Sequence, residues 1–303
     1  MKAMVADGSG SVRLAEVDEP RAAPDEAIVE VEAYSVNRGE TFLLEHPRDG
    51  WRPGKDVAGR VIVAAADGSG PAVGTRVVGH PEAEGWAERV AVPTAALAEV
   101  SASVPAEIAA PLPLAGLTAL RLLRRAGSLL GQRLLITGAS GGVGHYVTEL
   151  AIAAGAEVTA VSADAERGAV LRAFGADVVS EVPEASGWFD IVLESVAGAP
   201  FTAARRKAKP NGLIIWFGQA GREPITVDFF DWVDHTVGAP IVQFNYMRSD
   251  RSVAEDLATL VRLVGQDRLH PEIGTLLTWD HTAQVVEDLR ARRVRGNAVL
   301  TLA

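Results

Sequence analysis

The chain predicts an α/β fold in which a doubly wound parallel sheet, residues 107–266, is inserted into a β-rich domain built from residues 1–106 and 267–303. Two observations predict it. From about residue 107, short apolar strands alternate with stretches of helical periodicity, and the stretch Gly138-Ala139-Ser140-Gly141-Gly142-Val143-Gly144 joins the first of these strands to the helix after it. Before residue 107 the chain holds only short strands punctuated by Gly and Pro, and after residue 267 the alternation stops.

Taken in order, residues 27–33 alternate Val29, Val31 and Ala33 against Glu30 and Glu32, the period of a half-buried strand. Residues 56–66 form a second strand, ended by the turn Asp67-Gly68-Ser69-Gly70, and residues 73–79 and 86–93 add two more. A small barrel or sandwich follows from these. Residues 106–125 have helical spacing, which Pro111 and Pro113 break in the front half. Strands are then predicted at 133–137, 157–161, 177–179, 190–194, 212–217 and 241–245. Helices are predicted at 143–154, 165–174, a basic one ending near Lys207, and 253–264. Residues 298–302 read as a strand returning to the β-rich domain.

The glycine turn carries the chemistry. A strand, a glycine turn, a helix and a second strand at 157–161 make the βαβ unit that binds a dinucleotide. Gly138 suits the tight turn, Gly141 admits a pyrophosphate close to the backbone, and Gly144 lets helix and strand pack closely. The amides of Ser140, Gly142 and Val143 around the helix start attract the anion. Gly138 to Gly142 also reads as G-x-S-x-G, with Ser140 as a hydrolase nucleophile, and a ligand-free glycine turn is the bland alternative. The third spaced glycine, the distance to the second strand and the residues after that strand favour the dinucleotide.

Composition excludes several partners. The net charge of −10 opposes a nucleic-acid backbone, which needs a basic face. With no cysteine there are no disulfides and no thiolate zinc site. The first residues lack an apolar signal core, and no run of about 18 apolar residues is expected to span a bilayer, so a cytoplasmic location without membrane contact is expected. None of His46, His80, His145, His235, His270 and His281 stands three or four residues from another, so no helical metal pair is expected.

Val36-Asn37-Arg38-Gly39-Glu40, Arg52 to Gly59, Gly116-Leu117-Thr118-Ala119 and the glycine turn, in this domain order, resemble the medium-chain dehydrogenase/reductases. The similarity is to their zinc-independent quinone oxidoreductase and enoyl reductase branch, and it covers nearly the whole chain. It implies a Rossmann domain inserted into a GroES-like catalytic domain, NADPH as cofactor, and a homodimer paired through a strand at residues 237–246. The stretch Pro53-Gly54-Lys55-Asp56 places Lys55 where zinc-dependent relatives carry a ligand His, which implies no catalytic metal.

NAD-type sites end the second strand on an acidic residue; this chain has Ser162 there, and Arg167 stands where related NADPH reductases carry a Lys or Arg. Asp164 dissents, because a carboxylate repels a 2′-phosphate. The resemblance further implies that Thr118, Phe217, Gly218 and Asn297 contact the cofactor and that Asn37 is an orienting donor beside the nicotinamide. A strand-end Asn bonding its own backbone is the plainer reading of Asn37. Phe42 stands where many relatives carry Tyr, leaving Tyr34 and Tyr246 as unplaced phenols. Phe42, Trp51, Phe244 and Met247 are expected to line a pocket for a flat, hydrophobic acceptor, with Trp216 and Phe217 as further candidates. Asp56 is expected to pair with an Arg, such as Arg295. Without a metal to polarise an isolated ketone, hydride transfer to a quinone or α,β-unsaturated carbonyl fits best. The alternative is a protein that binds NADPH without turnover.

Overall fold

The computed structural model describes residues 1–231 and 238–302. The chain begins with a hairpin of β1 (Lys2–Ala6) and β2 (Val12–Glu16), which pair antiparallel. Then come β3 (Glu26–Val36), α1 (Arg38–Leu43), β4 (Asp56–Val63), β5 (Arg76–Gly79), β6 (Arg89–Pro93), β7 (Leu97–Glu99) and α2 (Ala106–Ala109). The expected strands at 73–79 and 86–93 thus start later: Thr75 still sits in a turn with its amide on the Ala72 carbonyl, and Trp86 and Ala87 pair outside the sheet, with the Pro53 carbonyl and with Ala3. A π-turn over Leu112–Gly116 leads into α3 (Leu117–Ala126). Pro111 and Pro113 supply no amide, so the wider turn keeps this run helical where an α-turn would fail. By composition the run Ala106–Ala126 is long and apolar enough to cross a membrane, contrary to the expectation of none, but most of it is buried inside the fold.

The parallel elements follow: β8 (Arg133–Ile136), α4 (Gly142–Ala153), β9 (Glu157–Val161), α5 (Ala169–Phe174), β10 (Asp177–Val179), β11 (Phe189–Glu194), α6 (Gly198–Arg205), β12 (Ala208–Trp216) and β13 (Ile241–Gln243). The last described stretch holds α7 (Val253–Gly265), β14 (Ile273–Thr278), α8 (Thr282–Arg290) and β15 (Asn297–Thr301). Val237 and His235 lie outside the described residues, and within the described part of the expected strand, residues 238–246, the strand formed is β13.

By contacts the chain divides into Met1–Leu117 with Asp250–Ala303, and Thr118–Ser249. The sequence rhythm placed the changeovers at 106/107 and 266/267. Residues 107–117 and 250–266 instead pack with the first unit, where a Cβ on Gly116 would lie 2.9 Å from Leu260 of α7.

In the first unit the sheet order is β14-β15-β3-β4-β5-β7, with β6 also on β3. Ala27, Val29, Val31 and Ala33 are all buried, as their alternation predicted. One edge of β3 is shared: residues 26–30 pair with β6, and residues 33–36 pair with the returning β15. On its other edge β4 approaches so closely that a Cβ on Gly59 would stand 1.9 Å from the Glu30 carbonyl. Trp86, Tyr34 and Leu300 fill the core beneath.

The second unit is an all-parallel sheet of order β10-β9-β8-β11-β12-β13. Strand order reverses between β8 and β11, so the carboxyl ends of these two strands form the switch point where such sheets bind ligands. Leu134, Leu135, Ile136, Val192 and Leu193 are buried, as central parallel strands require.

Candidate dinucleotide site and buried carboxylate cluster

The glycine turn lies at the switch point, directly after β8. Gly138 has φ +65°, and a Cβ there would meet the Ser195 hydroxyl oxygen at 2.6 Å. A Cβ on Gly144 would fall 2.3 Å from the Ala139 carbonyl oxygen, so this glycine sets the approach of α4 to the turn. The Gly141 amide donates to the Gly138 carbonyl at 3.1 Å, and Gly141 caps α4 with extended backbone. A Cβ on Gly141 would meet only the Gly138 carbonyl oxygen, at 3.4 Å, so the space over it is open. The amide of His145 is bonded to the Gly141 carbonyl at 3.1 Å, and those of Gly142, Val143 and Gly144 precede it with no intrahelical acceptor. Ser140 is half-buried in the same turn. Open backbone donors at the start of a 12-residue helix fit a pyrophosphate.

The end of β11 forms the opposite wall. Glu194 is fully buried; its Oε1 accepts from the Thr137 hydroxyl at 3.0 Å and the Val196 amide at 2.8 Å, and its Oε2 from the Ala197 amide at 3.0 Å. Residues 217–221 run along this turn: the Phe217 amide donates to the Glu194 carbonyl at 2.9 Å, and the Gly221 amide to the Val196 carbonyl at 2.8 Å. A Cβ on Gly218 would come within 3.0 Å of the Ser195 carbonyl oxygen. Phe244, just past β13, donates its amide to the Trp216 carbonyl at 2.9 Å, and Met247 follows it, half exposed. Thr118 is buried in α3, and nearby Arg121 donates to the Tyr246 carbonyl at 2.6 Å.

Ser162 directly follows β9 and is buried, with its hydroxyl donating to the Asp164 carbonyl at 3.0 Å. The helix expected at 165–174 begins only at Ala169. The Asp164 carboxylate draws residues 163–168 into a turn by accepting from the Glu166 and Arg167 amides at 2.8 and 3.0 Å. Arg167 therefore stands in this turn and not on a helix.

In the first unit, Asn37 caps α1 and is buried. Its Nδ2 donates to Asp56 Oδ2 at 2.7 Å and more weakly to Glu40 Oε2 at 3.4 Å, and its own amide donates to Glu40 Oε2 at 3.0 Å. The expected orienting donor is thus committed to two carboxylates. Asp56 has no contact with Arg295, which pairs with Glu272 at 2.6 Å. Instead Asp56 Oδ1 accepts from the Leu114 amide at 2.9 Å and meets His80 Nδ1 at 3.3 Å, while the same nitrogen lies 2.7 Å from the Lys55 carbonyl. Burial, with Asp56 negative beside it, pushes the Glu40 carboxyl up to about 8.

Phe42 is half-buried on α1, and Trp51 packs against the core. Asn297 starts β15 one step beyond the Ala298–Val36 pair, at the same end of the ladder as Asn37, and its Nδ2 donates to the Glu272 carbonyl at 3.1 Å. Tyr34 is sealed in the core, its hydroxyl 2.6 Å from Thr282 Oγ1, and burial raises its pKa well above the usual range. Among the described residues no three His, Asp or Glu side chains gather as a metal site. Glu40, His80, Thr137 and Glu194 were missed from the sequence; Asn37-x-x-Glu40, a helix-start spacing, was the one available signal.

A family model described as zinc-binding dehydrogenase matches residues 142–262. A chloroplast envelope quinone oxidoreductase homolog from Arabidopsis thaliana is 31% identical over 69% of this chain and 71% of its own length. An acryloyl-coenzyme A reductase from Sulfurisphaera tokodaii is 25% identical over 72% of this chain and 77% of its own. The structure of Escherichia coli quinone oxidoreductase complexed with NADPH superposes with a TM-score of 0.87 at 19% identity, over 99% of this chain and 98% of that one. With its doubly wound sheet, its glycine turn at the switch point and this relationship, the chain belongs to the medium-chain dehydrogenase/reductase superfamily, in the quinone oxidoreductase-like branch.

Proposed function

We propose that the protein is an NADPH-dependent oxidoreductase that delivers hydride to a conjugated acceptor, a quinone or an α,β-unsaturated carbonyl. The observation that carries the cofactor choice is Ser162: a neutral, buried residue follows β9 where an acidic one would repel a 2′-phosphate. Asp164 spends its carboxylate on two backbone amides, which tempers its opposition, and Arg167 in the same turn offers a guanidinium matched to phosphate. The Escherichia coli relative, solved with NADPH, supports the same choice. In this reading Thr118, Phe217, Gly218 and Asn297 join the glycine turn as cofactor contacts.

NADPH, when bound, supplies the hydride. The chain's part is to hold the pyrophosphate on the amides of Gly142 and Val143 and to keep Asn37 fixed between Asp56 and Glu40. We read the reaction as metal-independent from the donor set: Lys55 stands in the place of the zinc-dependent relatives' ligand His, the chain has no cysteine, and His80 Nδ1 is turned to the Lys55 carbonyl. Tyr34 is no proton donor, being buried and bonded to Thr282, and we assign the proton that completes reduction to water or another side chain. Phe42, Trp51, Phe244 and Met247 are the residues we assign to a flat apolar acceptor. In this reading the enzyme is a cytoplasmic homodimer, joined through β13, which among the described residues is an edge of the parallel sheet.

Two observations favour binding without turnover: Asn37 gives its amide hydrogens to carboxylates, and Phe42 brings no hydroxyl. Fluorescence titration with NADPH and NADH, followed by a panel of quinones and enones, decides. Tighter binding of NADPH, weakened about tenfold in Arg167→Ala and followed by its oxidation by one acceptor class, is expected. Binding with no oxidation by any acceptor leaves the silent reading in possession. Sedimentation at micromolar concentration tests the dimer, and a monomer overturns that part.

A further inference from the structure

Glu194 is a buried carboxylate at the switch point, and the donors it accepts from are a hydroxyl and two backbone amides, none of them charged. They fold residues 195–197 into a tight turn in which Ala197 takes a φ of +68°. The turn is tied back to β8: the Ser195 amide donates to Thr137 Oγ1 at 3.0 Å, and the Ser195 hydroxyl to the Thr137 carbonyl at 3.1 Å. That hydroxyl is the atom a side chain on Gly138 would strike. One residue therefore separates the Glu194 carboxylate from the floor of the glycine turn. Burial outweighs the three donors and raises the carboxyl above its ordinary range. An anion seated on the turn adds a like charge nearby and favours the protonated form further.

We propose that Glu194 is a positioning residue of the dinucleotide site: its carboxylate holds residues 195–197 against the glycine turn, and binding of a pyrophosphate there is coupled to proton uptake by Glu194. The inference rests on the dinucleotide reading above. Thr137, Leu193, Val196 and Trp216 around the carboxylate carry no titratable side chain. Glu223, on the loop after β12, packs on Gly198, and His145 of α4 meets the Gly141 carbonyl at 3.1 Å. His145 also stands beside the turn, so the comparison between variants decides, and not the profile of the unaltered protein alone.

The probe is ADP-ribose, which carries the pyrophosphate without a 2′-phosphate, titrated from about pH 5 to about pH 9. Affinity of the unaltered protein is expected to fall about tenfold as pH rises, one pK unit of coupling. Glu194→Gln, which removes the charge, flattens most of that fall. Thr137→Val removes one donor from the carboxylate and moves the fall to higher pH, a test that stands even if Glu194→Gln fails to fold. ADP-ribose binding with a flat profile in the unaltered protein, an unchanged profile in Glu194→Gln, or an unmoved one in Thr137→Val overturns the inference. If neither ADP-ribose nor NADPH binds at any pH, the dinucleotide reading falls and takes the inference with it.

Discussion

At Gly144 the space for a side chain is already occupied: an added Cβ would sit 2.3 Å from the Ala139 carbonyl oxygen, and backbone cannot swing aside as a flexible side chain does. Gly144→Ala must therefore push α4 away from the turn, at a cost of about 1–3 kcal/mol, and it spoils the aim of the helix-start amides. A lower Tm together with weaker NADPH binding is the expected result; an unchanged Kd at reduced Tm would mean that the turn does not hold the cofactor. Glu40 carries a different prediction. Its carboxyl lies at about 8 in the folded protein, above its ordinary value of 4.5, because it is buried beside Asp56. The folded state therefore binds a proton that the unfolded state releases. The contribution is fully present below the unfolded value and is lost as pH rises through about 8. Tm measured from about pH 5 to about pH 9 should fall with pH, and Glu40→Gln should lose part of that fall. Equal slopes in both proteins would place the proton elsewhere in the cluster.

Among the elements, those with a clean period were legible. The alternation of Val29, Val31 and Ala33 gave β3, and the apolar run before the glycine turn gave β8 and then α4. What failed was set by single side chains or by distant ones. Asp164 shortens α5 by bonding two amides in place of helix, and the prolines at 111 and 113 widen a turn without ending it. Helix α1 spans only six residues, too few for a period to show, and only its cap spacing hinted at it. The partners of Asp56 are unreadable from sequence, because Asn37, His80 and Leu114 reach it only once β4 is laid in its sheet. Helix α7 shows a cap that works as sequence patterns say. The Ser252 hydroxyl accepts from the Glu255 amide at 3.2 Å, and Glu255 accepts from the Ser252 amide at 2.9 Å. Ser252→Ala should cost about 1 kcal/mol. Urea unfolding checks it through a lower midpoint at unchanged slope.

Over the whole molecule the two units differ in how far apart in the chain their strands lie. The parallel sheet draws every strand from Arg133 to Gln243, each near its neighbour in sequence apart from the one crossover at the switch point. The first unit pairs β3 with β15, so that Tyr34 faces Leu300 across most of the chain. Closing that sheet carries a large loop entropy that only its core repays. Leu300 is fully buried in this core, and Leu300→Ala should cost about 2–5 kcal/mol through lost burial and the cavity left behind. Hydrogen exchange locates the loss. Amides of β3, β4 and β14 should exchange faster in the variant, because β15 lies between β14 and β3. Amides of β8, β9 and β11 should keep their protection, since the strands that hold them come from a separate stretch of chain. Protection lost to the same degree in both sheets would mean that the last strand stabilises the molecule as one cooperative body, and the division into two units would then describe packing without describing stability.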